Sequence, residues 1–103
     1  MLFVTIWELN PDFDPSKLTE LAQTFMSKNL FPAEGIEVIG WYITPEYWGL
    51  TISKAESEEA IIREATGWRI AMPGIFKKFK TAPAMEVAQA LPIVTKLAKK
   101  IRD

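Results

Sequence analysis

Four segments of the chain are rich in aliphatic, β-branched and aromatic residues, and residues that favour turns separate them. Such segments are typical of β-strands. The pattern predicts strands over Met1–Leu9, Ile36–Thr44, Tyr47–Lys54 and Ile75–Thr81. Only Pro45-Glu46 separates the second strand from the third, and proline presets φ for the first central position of a turn. We therefore expect these two strands to form a hairpin with a two-residue turn.

Two further segments carry apolar residues at every third or fourth position, which predicts amphipathic helices. The first begins after Asp14, whose side chain can cap a helix, and continues to about Asn29. The second is capped by Ser57 and ends before Pro73-Gly74. Its predicted buried stripe consists of Ile61, Ala65, Trp68 and Met72.

A third helix is predicted at the end of the chain, over residues 83–103, with Pro83 at its first position. Apolar residues recur there at spacings of four and three, which gives the helix one apolar side. Pro92 lies inside this segment, and proline removes a helical hydrogen bond, so we expect a kink or a break near it. The apolar side consists of Val87, Leu91, Val94, Ala98 and Ile101.

The order of these elements is β-α-β-β-α-β followed by a helix. With right-handed crossover connections, this order produces an α+β ferredoxin-like sandwich, in which a four-stranded antiparallel sheet carries two helices on one face. The chain shows no internal repeat, linker or low-complexity segment. Its 103 residues are an ordinary size for one domain with one hydrophobic core. We therefore predict a single domain over residues 1–103 that ends in the additional C-terminal helix.

The predicted hairpin contains the passage GWYITPEYWG, in which four large aromatic residues surround the turn. A two-residue turn would pair Trp41 with Leu50, and directly paired residues share a face of the sheet. The face that carries Trp41 and Trp48 would then be entirely apolar, which suits burial under the helices. The opposite face would carry Tyr42 and Tyr47.

The first strand adds aromatic residues to the open face, which is the side of the sheet turned away from the first two helices. Leu2, Val4 and Ile6 suit the helix side, and their neighbours in the strand then lie on the open face. Monomeric proteins seldom expose a contiguous apolar patch of such a size. We therefore expect this face to contact a ligand or a second subunit. The candidate residues are Phe3, Thr5, Trp7, Val38, Tyr42, Tyr47 and Thr51.

Three kinds of cover for the open face are compatible with the sequence. A second copy of the chain can pack sheet to sheet and form a homodimer, or the C-terminal helix can fold across its own sheet. The homodimer and a covering helix are compatible, because the C-terminal helix can instead lie on the sheet of the neighbouring subunit. Nucleic acid bases are the third cover, but the third strand reads YWGLTIS and lacks the basic residues of RNA-binding sheets. We therefore expect no nucleic-acid partner.

Cysteine and histidine are both absent, and this excludes several kinds of site. There is no disulfide, no thiolate nucleophile, no cysteine-based zinc site and no serine–histidine relay. Glu34 and Glu37 could approach a cation, but their spacing matches no calcium loop or two-metal site. The sequence predicts no metal, no cofactor and no catalytic residue.

The net charge of −1 conceals two halves of opposite sign. Residues 1–50 carry seven acids and two bases, a net charge of −5, whereas residues 51–103 carry six acids and ten bases, a net charge of +4. Solvated strand and helix faces account for the bases, and an anion-binding patch is the alternative. No apolar segment reaches the roughly 20 residues of a membrane-spanning helix, and the N-terminus lacks the basic region of a signal peptide. We expect a cytoplasmic protein without membrane contact.

Four passages together resemble one known family: MLFVTIWEL, PAEGIEVIGWY, WGLTISKAESEEAI and KTAPAMEVAQAL. From Met1 to about Leu91, the chain is similar to the small prokaryotic proteins of domain of unknown function 3303. The resemblance implies a ferredoxin-like fold of the dimeric α/β-barrel type. It implies no established activity.

Two hypotheses about function remain open. The first is a non-enzymatic homodimeric module whose space between the two sheets is packed or binds a small apolar molecule. The alternative is a small cofactor-free enzyme, similar to a monooxygenase or an isomerase, that acts on an aromatic or polyketide-like substrate. A filled interface would favour the first hypothesis. A pocket over Thr5, Trp7, Tyr42 and Thr51, with an acid or Asn10 pointing into it, would favour the enzyme.

Overall fold

The computed structural model describes all 103 residues, and seven regular elements follow one another along the chain. Their order, β-α-β-β-α-β-α, confirms the order predicted from the sequence. The strands are β1 (Leu2–Leu9), β2 (Ile36–Ile43), β3 (Trp48–Ala55) and β4 (Phe76–Pro83). The helices are α1 (Pro15–Ser27), α2 (Glu58–Ala71) and α3 (Val87–Arg102).

The four strands form one antiparallel sheet in the order β2-β3-β1-β4. The central strands are β1 and β3. Helices α1 and α2 lie over one face of the sheet, because right-handed crossovers place both connections on the same side. The architecture is the predicted α+β ferredoxin-like fold. None of the three helices combines the length and the apolar character that crossing a membrane requires.

Side-chain caps fix the starts of α1 and α2. The Asp14 carboxylate accepts a hydrogen bond from the Ser16 backbone N–H at 2.9 Å. This hydrogen bond lowers the pKa of the Asp14 carboxyl. Ser57 Oγ accepts a hydrogen bond from the Ala60 N–H at 3.2 Å. Both helices therefore begin where the sequence predicts.

The turn between β2 and β3 is longer than predicted by one residue. The loop consists of Pro45, Glu46 and Tyr47, and the Thr44 N–H closes it by donating to the Trp48 oxygen at 2.8 Å. Tyr47 has a positive φ of 62°, the left-handed conformation that ends many three-residue hairpin loops. The predicted two-residue turn is therefore wrong, and Tyr47 belongs to the loop and not to β3.

The extra loop residue also changes the register of the hairpin. Trp41 lies opposite Thr51, whereas the two-residue turn would have paired it with Leu50. A register shift between Val38 and Gly40 adds a bulge in β2. Because of this bulge, Val38 and Trp41 share the side of the sheet that faces α1 and α2 although three positions separate them.

Five of the seven candidate residues were predicted on the wrong face. Phe3 and Trp7 are only 4% and 8% exposed, because they lie on the side of the sheet that α1 and α2 cover. The reversal has a physical reason: both sides of β1 are apolar, and the aromatic side buries more area beneath the helices. Of the other two candidates, Tyr42 has the predicted orientation. The five residues on the helix side are Phe3, Thr5, Trp7, Val38 and Thr51.

The open face has an apolar centre and a charged border. The strand register places Val4, Ile6, Tyr42, Leu50 and Ile52 at its centre. Around them on the same face lie Glu8, Lys54, Lys78 and Lys80. Ile6 is 52% exposed and Tyr42 is 61% exposed. The centre of the open face is thus mainly aliphatic, whereas the sequence predicted mainly aromatic residues there.

Helix α3 differs from the prediction at its start and at Pro92. It begins at Val87, because β4 extends to Pro83 and a short connection follows. The helix continues through Pro92, where a kink or a break was expected. None of its residues is buried, and the molecule measures 58 Å along its longest axis. Helix α3 therefore projects from the domain and does not cover its own sheet.

Candidate functional site

A pocket of about 410 Å³ lies between the helix-facing side of the sheet and the helices α1 and α2. All four strands, both helices and the hairpin loop contribute to its lining. Of its 22 lining residues 16 are hydrophobic, so a molecule inside would meet mainly apolar surface.

Strands β1 and β3 supply the floor of the pocket with Thr5, Trp7 and Thr51. The Trp7 indole N–H donates a buried hydrogen bond to Thr51 Oγ1 at 3.1 Å. The Thr5 hydroxyl forms a 2.9 Å hydrogen bond with the hydroxyl of Thr81. Each of the three floor side chains is therefore already engaged in a hydrogen bond, which leaves the floor mostly apolar in character.

Gly49 makes room for the indole of Trp7. The two residues lie opposite each other in β3 and β1. A Cβ atom at position 49 would be 2.6 Å from Trp7 Cζ2 and would also press against the Tyr42 carbonyl oxygen. Any larger residue would displace the indole. Gly49 therefore determines how Trp7 lies in the floor of the pocket.

Aromatic rings from four segments pack together at one wall of the pocket. Trp68 of α2 stacks on Phe25 of α1, with ring centroids 4.2 Å apart. Phe31, in the connection before β2, has its ring centroid 4.4 Å from that of Trp41 and 5.7 Å from that of Trp68. Phe25 and Phe31 are buried. This wall fixes the positions of two indole rings, those of Trp41 and Trp68, at the pocket surface.

Strand β4 and the hairpin loop complete the lining. Phe76 and Phe79 of β4 lie with their ring centroids 4.9 Å apart, and Tyr47 lines the pocket from the loop. The Arg69 guanidinium lies 4.8 Å from the centroid of the Phe79 ring but takes no part in the lining. This end of the pocket is therefore aromatic as well.

One carboxyl group, that of Glu64, lies among these apolar residues. Its side chain is on the pocket side of α2, between Ile61 in the turn before and Trp68 in the turn after. Glu64 Oε1 is buried and has no hydrogen-bond partner. Burial raises the pKa of Glu64 to about 7. A large fraction of this carboxyl is therefore protonated at neutral pH, and it could exchange a proton or form a hydrogen bond with a bound molecule.

The electrostatic character of the pocket is simple. No lysine or arginine lines it, and Tyr42 and Tyr47 are the other ionisable residues of the lining. No three acidic side chains come together in the chain in a way that could hold a metal ion. The chemical groups on offer are one carboxyl, the carboxamide of Gln23 at the exposed side of α1, a few hydroxyls and many aromatic faces.

Five of the seven candidate residues from the sequence come together at this pocket. The other two lie elsewhere: Phe3 belongs to a buried cluster with Ala55, and Val38 lies opposite Ser53. Tyr42 is among the lining residues although its side chain belongs to the open face, where its ring lies beside Gly40. The five that line the pocket are Thr5, Trp7, Tyr42, Tyr47 and Thr51.

Sequence reasoning missed the one carboxyl group of the pocket. Ile61 and Trp68 were predicted to lie on the buried side of α2, but Glu64 was not included. Its position, three residues after Ile61 and four before Trp68, places it in the same apolar stripe. A charged residue inside such a stripe is the signal that would have revealed it. Phe31 carries no such signal, because it lies in a loop without periodicity.

The profile of one known family matches almost the whole chain. The family profile of domain of unknown function DUF3303 matches residues 1–98 of the 103 residues, which include every residue that lines the pocket. No curated protein matches the sequence at a significant level. The chain therefore belongs to the family of domain of unknown function DUF3303.

Proposed function

We propose that this chain binds a small, largely apolar molecule in the pocket between the sheet and the helices α1 and α2. The pocket itself is the observation that carries the proposal, because its volume of about 410 Å³ lies within the range of known small-molecule sites. Such sites combine a mostly apolar lining with a few polar groups that orient the ligand. The pocket has this composition, and Glu64 is its one carboxyl group.

The proposed binding site lies on the opposite side of the sheet from the site that the sequence predicted. The sequence placed Thr5, Trp7 and Thr51 on the open face, which put the ligand between the sheets of two subunits. These residues face α1 and α2 instead. The binding site that we propose is therefore on the helix side of each sheet, where a single chain supplies all of its lining.

We further propose that two copies of the chain associate through the open face. Ile6 at its centre is 52% exposed, and Val4, Leu50 and Ile52 beside it are aliphatic, while Lys80 of β4 borders it on the other side. Burial of such surface contributes about 25 cal/mol for each Å² removed from water. In this homodimer the pocket of each subunit lies on the side of the sheet opposite to the subunit contact.

Glu64 favours a second candidate function, that of a small cofactor-free enzyme acting on an aromatic substrate. An acid in a pocket over Thr5, Trp7 and Thr51 is the feature that distinguishes such an enzyme from a module that only binds. A carboxyl with a pKa of about 7 can both accept and donate a proton at neutral pH. Both candidate functions require that a molecule bind in the pocket.

Titration with Nile red, an uncharged aromatic dye that fluoresces strongly in apolar surroundings, tests the proposed binding. Ala65 lines the pocket, and Ala65→Phe would fill part of it. Ala71 is exposed at the end of the same helix, so Ala71→Phe is the matched control. We expect Ala65→Phe to weaken dye binding about tenfold or more, because its ring takes space that the dye needs. Ala71→Phe should bind like the wild type.

Circular dichroism shows whether the wild type and both variants are equally folded. If Ala65→Phe is folded and binds Nile red as strongly as the wild type, the dye binds elsewhere and the proposal is wrong.

A further inference from the structure

The carboxyl group of Glu64 carries the one buried side-chain polar atom that lacks a hydrogen-bond partner. It lies in the pocket, where the other deep polar groups are engaged with each other. The Trp7 N–H donates to Thr51, and the Thr5 hydroxyl pairs with that of Thr81. The free hydrogen-bonding capacity of the deep pocket is therefore concentrated at Glu64.

No positive charge faces Glu64 from any element around the pocket. The residues that line it from α1, from the four strands and from α2 itself include no lysine and no arginine. The other titratable residues of the lining are Tyr42, whose phenol belongs to the open face, and Tyr47. A buried carboxylate without a cation is unfavourable, and an anionic ligand would add a second uncompensated charge. The pocket therefore favours the neutral acid and an uncharged ligand.

The shape of the ligand follows from the aromatic lining. The rings of Trp7, Phe31, Trp41, Trp68 and Phe79 all contribute to the pocket surface. Aromatic rings pack well against other flat rings, in offset-stacked or edge-to-face arrangements. A flat aromatic molecule would therefore contact more of this surface than a flexible aliphatic one.

We propose that the pocket selects an uncharged aromatic molecule with a carbonyl oxygen, which accepts a hydrogen bond from the protonated carboxyl of Glu64. This inference rests on the proposed function and adds the class of ligand to it. An unpartnered buried donor is costly, so a carbonyl acceptor that reaches Glu64 gains more than it would from water. An organic cation would require the charged form of Glu64, which burial disfavours.

Nile red carries a carbonyl acceptor and no charge, so it serves as the probe. Its affinity is measured at about pH 5.5 and about pH 8.5 for the wild type, Glu64→Gln and Glu64→Leu. We expect the wild-type affinity to fall about tenfold or more over this range, because Glu64 loses its proton. Glu64→Gln keeps a donor but does not titrate, so it should bind equally at both pH values. Glu64→Leu has no donor and should bind about five- to tenfold more weakly than Glu64→Gln.

Glu58 is an exposed acid in the first turn of the same helix, and Glu58→Gln should keep the wild-type pH dependence. A wild-type affinity that stays constant or rises with pH would overturn the inference. Equal binding by Glu64→Gln and Glu64→Leu would also overturn it, since the carboxyl would then donate no hydrogen bond. In either case the proposed function stands if Ala65→Phe blocks the dye. The proposed function fails independently of this inference if Ala65→Phe binds Nile red as strongly as the wild type.

Discussion

Glu64 occupies a position in α2 where an apolar residue would stabilise the fold better. Ile61 and Trp68, its neighbours along the helix, face the same pocket. The Glu64 side chain is partly removed from water and one of its oxygens has no partner. Ionisable residues with a strongly shifted pKa occur often at functional sites, where they serve binding or catalysis at the expense of stability.

The substitution Glu64→Gln is expected to change how stability depends on pH. The pKa of Glu64 is about 7 in the folded chain, against an ordinary value of 4.5. The folded protein keeps this proton in a pH range where the unfolded chain loses it. Wild-type stability should therefore fall as the pH rises from 4.5 to about 7, and this loss should be complete above that range.

Urea unfolding of both proteins at two pH values measures the effect. Near pH 8, Glu64→Gln should be more stable than the wild type by about 1–2 kcal/mol, a figure reduced for the partly exposed side chain. Near pH 4.5 the two proteins should be about equally stable. A stability difference that is the same at both pH values would show that Glu64 has an ordinary pKa in the folded chain.

At the scale of the elements, the β2–β3 hairpin shows how one loop residue determines the faces of two strands. Pro45-Glu46 indicates a two-residue turn, whereas the loop includes Tyr47 as a third residue with a φ of 62°. Tyrosine seldom adopts this conformation, so the sequence carries no sign of it. The consequence is a register in which Trp41 and Trp48 lie on opposite faces.

Substitutions at Tyr47 test this loop. Glycine adopts a positive φ without steric strain, whereas alanine retains the penalty of the left-handed conformation. Both Tyr47→Gly and Tyr47→Ala lose the phenol ring, so their comparison isolates the backbone effect. We expect Tyr47→Gly to be more stable than Tyr47→Ala by about 1 kcal/mol in thermal unfolding. If Tyr47→Ala is equally stable or more stable, position 47 does not have a positive φ and the three-residue loop is wrong.

The order of the elements and the starts of α1 and α2 could be predicted because their signals are local. Asp14 and Ser57 are good helix caps wherever they precede an amphipathic segment. The orientation of β1 could not be predicted, because Leu2, Val4 and Ile6 form one apolar side and Phe3 and Trp7 another. Alternation distinguishes two faces only when one of them is polar. Five candidate residues therefore do line the pocket, but three of them, Thr5, Trp7 and Thr51, were predicted on the wrong side of the sheet.

At the scale of the whole molecule, the chain exposes more surface than a compact protein of its size. The accessible surface is 7609 Å² for a mass of 11.7 kDa, against about 5,900 Å² for a typical monomer of that mass. The radius of gyration is 16.9 Å, against about 13 Å for a compact domain of this length. The excess surface is larger than the roughly 800 Å² that each partner buries in a standard interface. This geometry supports self-association.

Two surfaces of the chain expose apolar residues, namely the centre of the open face and the apolar side of α3. In α3, Leu91 is 58% exposed and Val94 is 62% exposed. The same helix carries four basic residues, whereas the first 50 residues of the chain have a net charge of −5. A second copy of the chain could supply both apolar contacts and opposite charge to these surfaces.

Light scattering of the wild type and two variants tests the proposed homodimer. Ile6 lies at the centre of the open face, and Ile70 is 75% exposed on α2. The wild type should have twice the 11.7 kDa mass of the chain. Ile6→Lys should be monomeric, because a buried unpaired charge is costly at an interface, and Ile70→Lys should remain dimeric. A wild type that is monomeric at micromolar concentration would exclude the dimer.

Binding in the pocket is tested most directly by the indole N–H signals of the four tryptophans in heteronuclear NMR spectra. Trp7, Trp41 and Trp68 line the pocket, whereas Trp48 lies opposite Glu8 on the other side of the sheet and is an internal control. On addition of acetylnaphthalene, an uncharged aromatic ketone, the three pocket signals should shift and saturate while the Trp48 signal stays in place. A shift confined to Trp48, or saturation of binding without any change at Trp7 and Trp68, would contradict the proposed site.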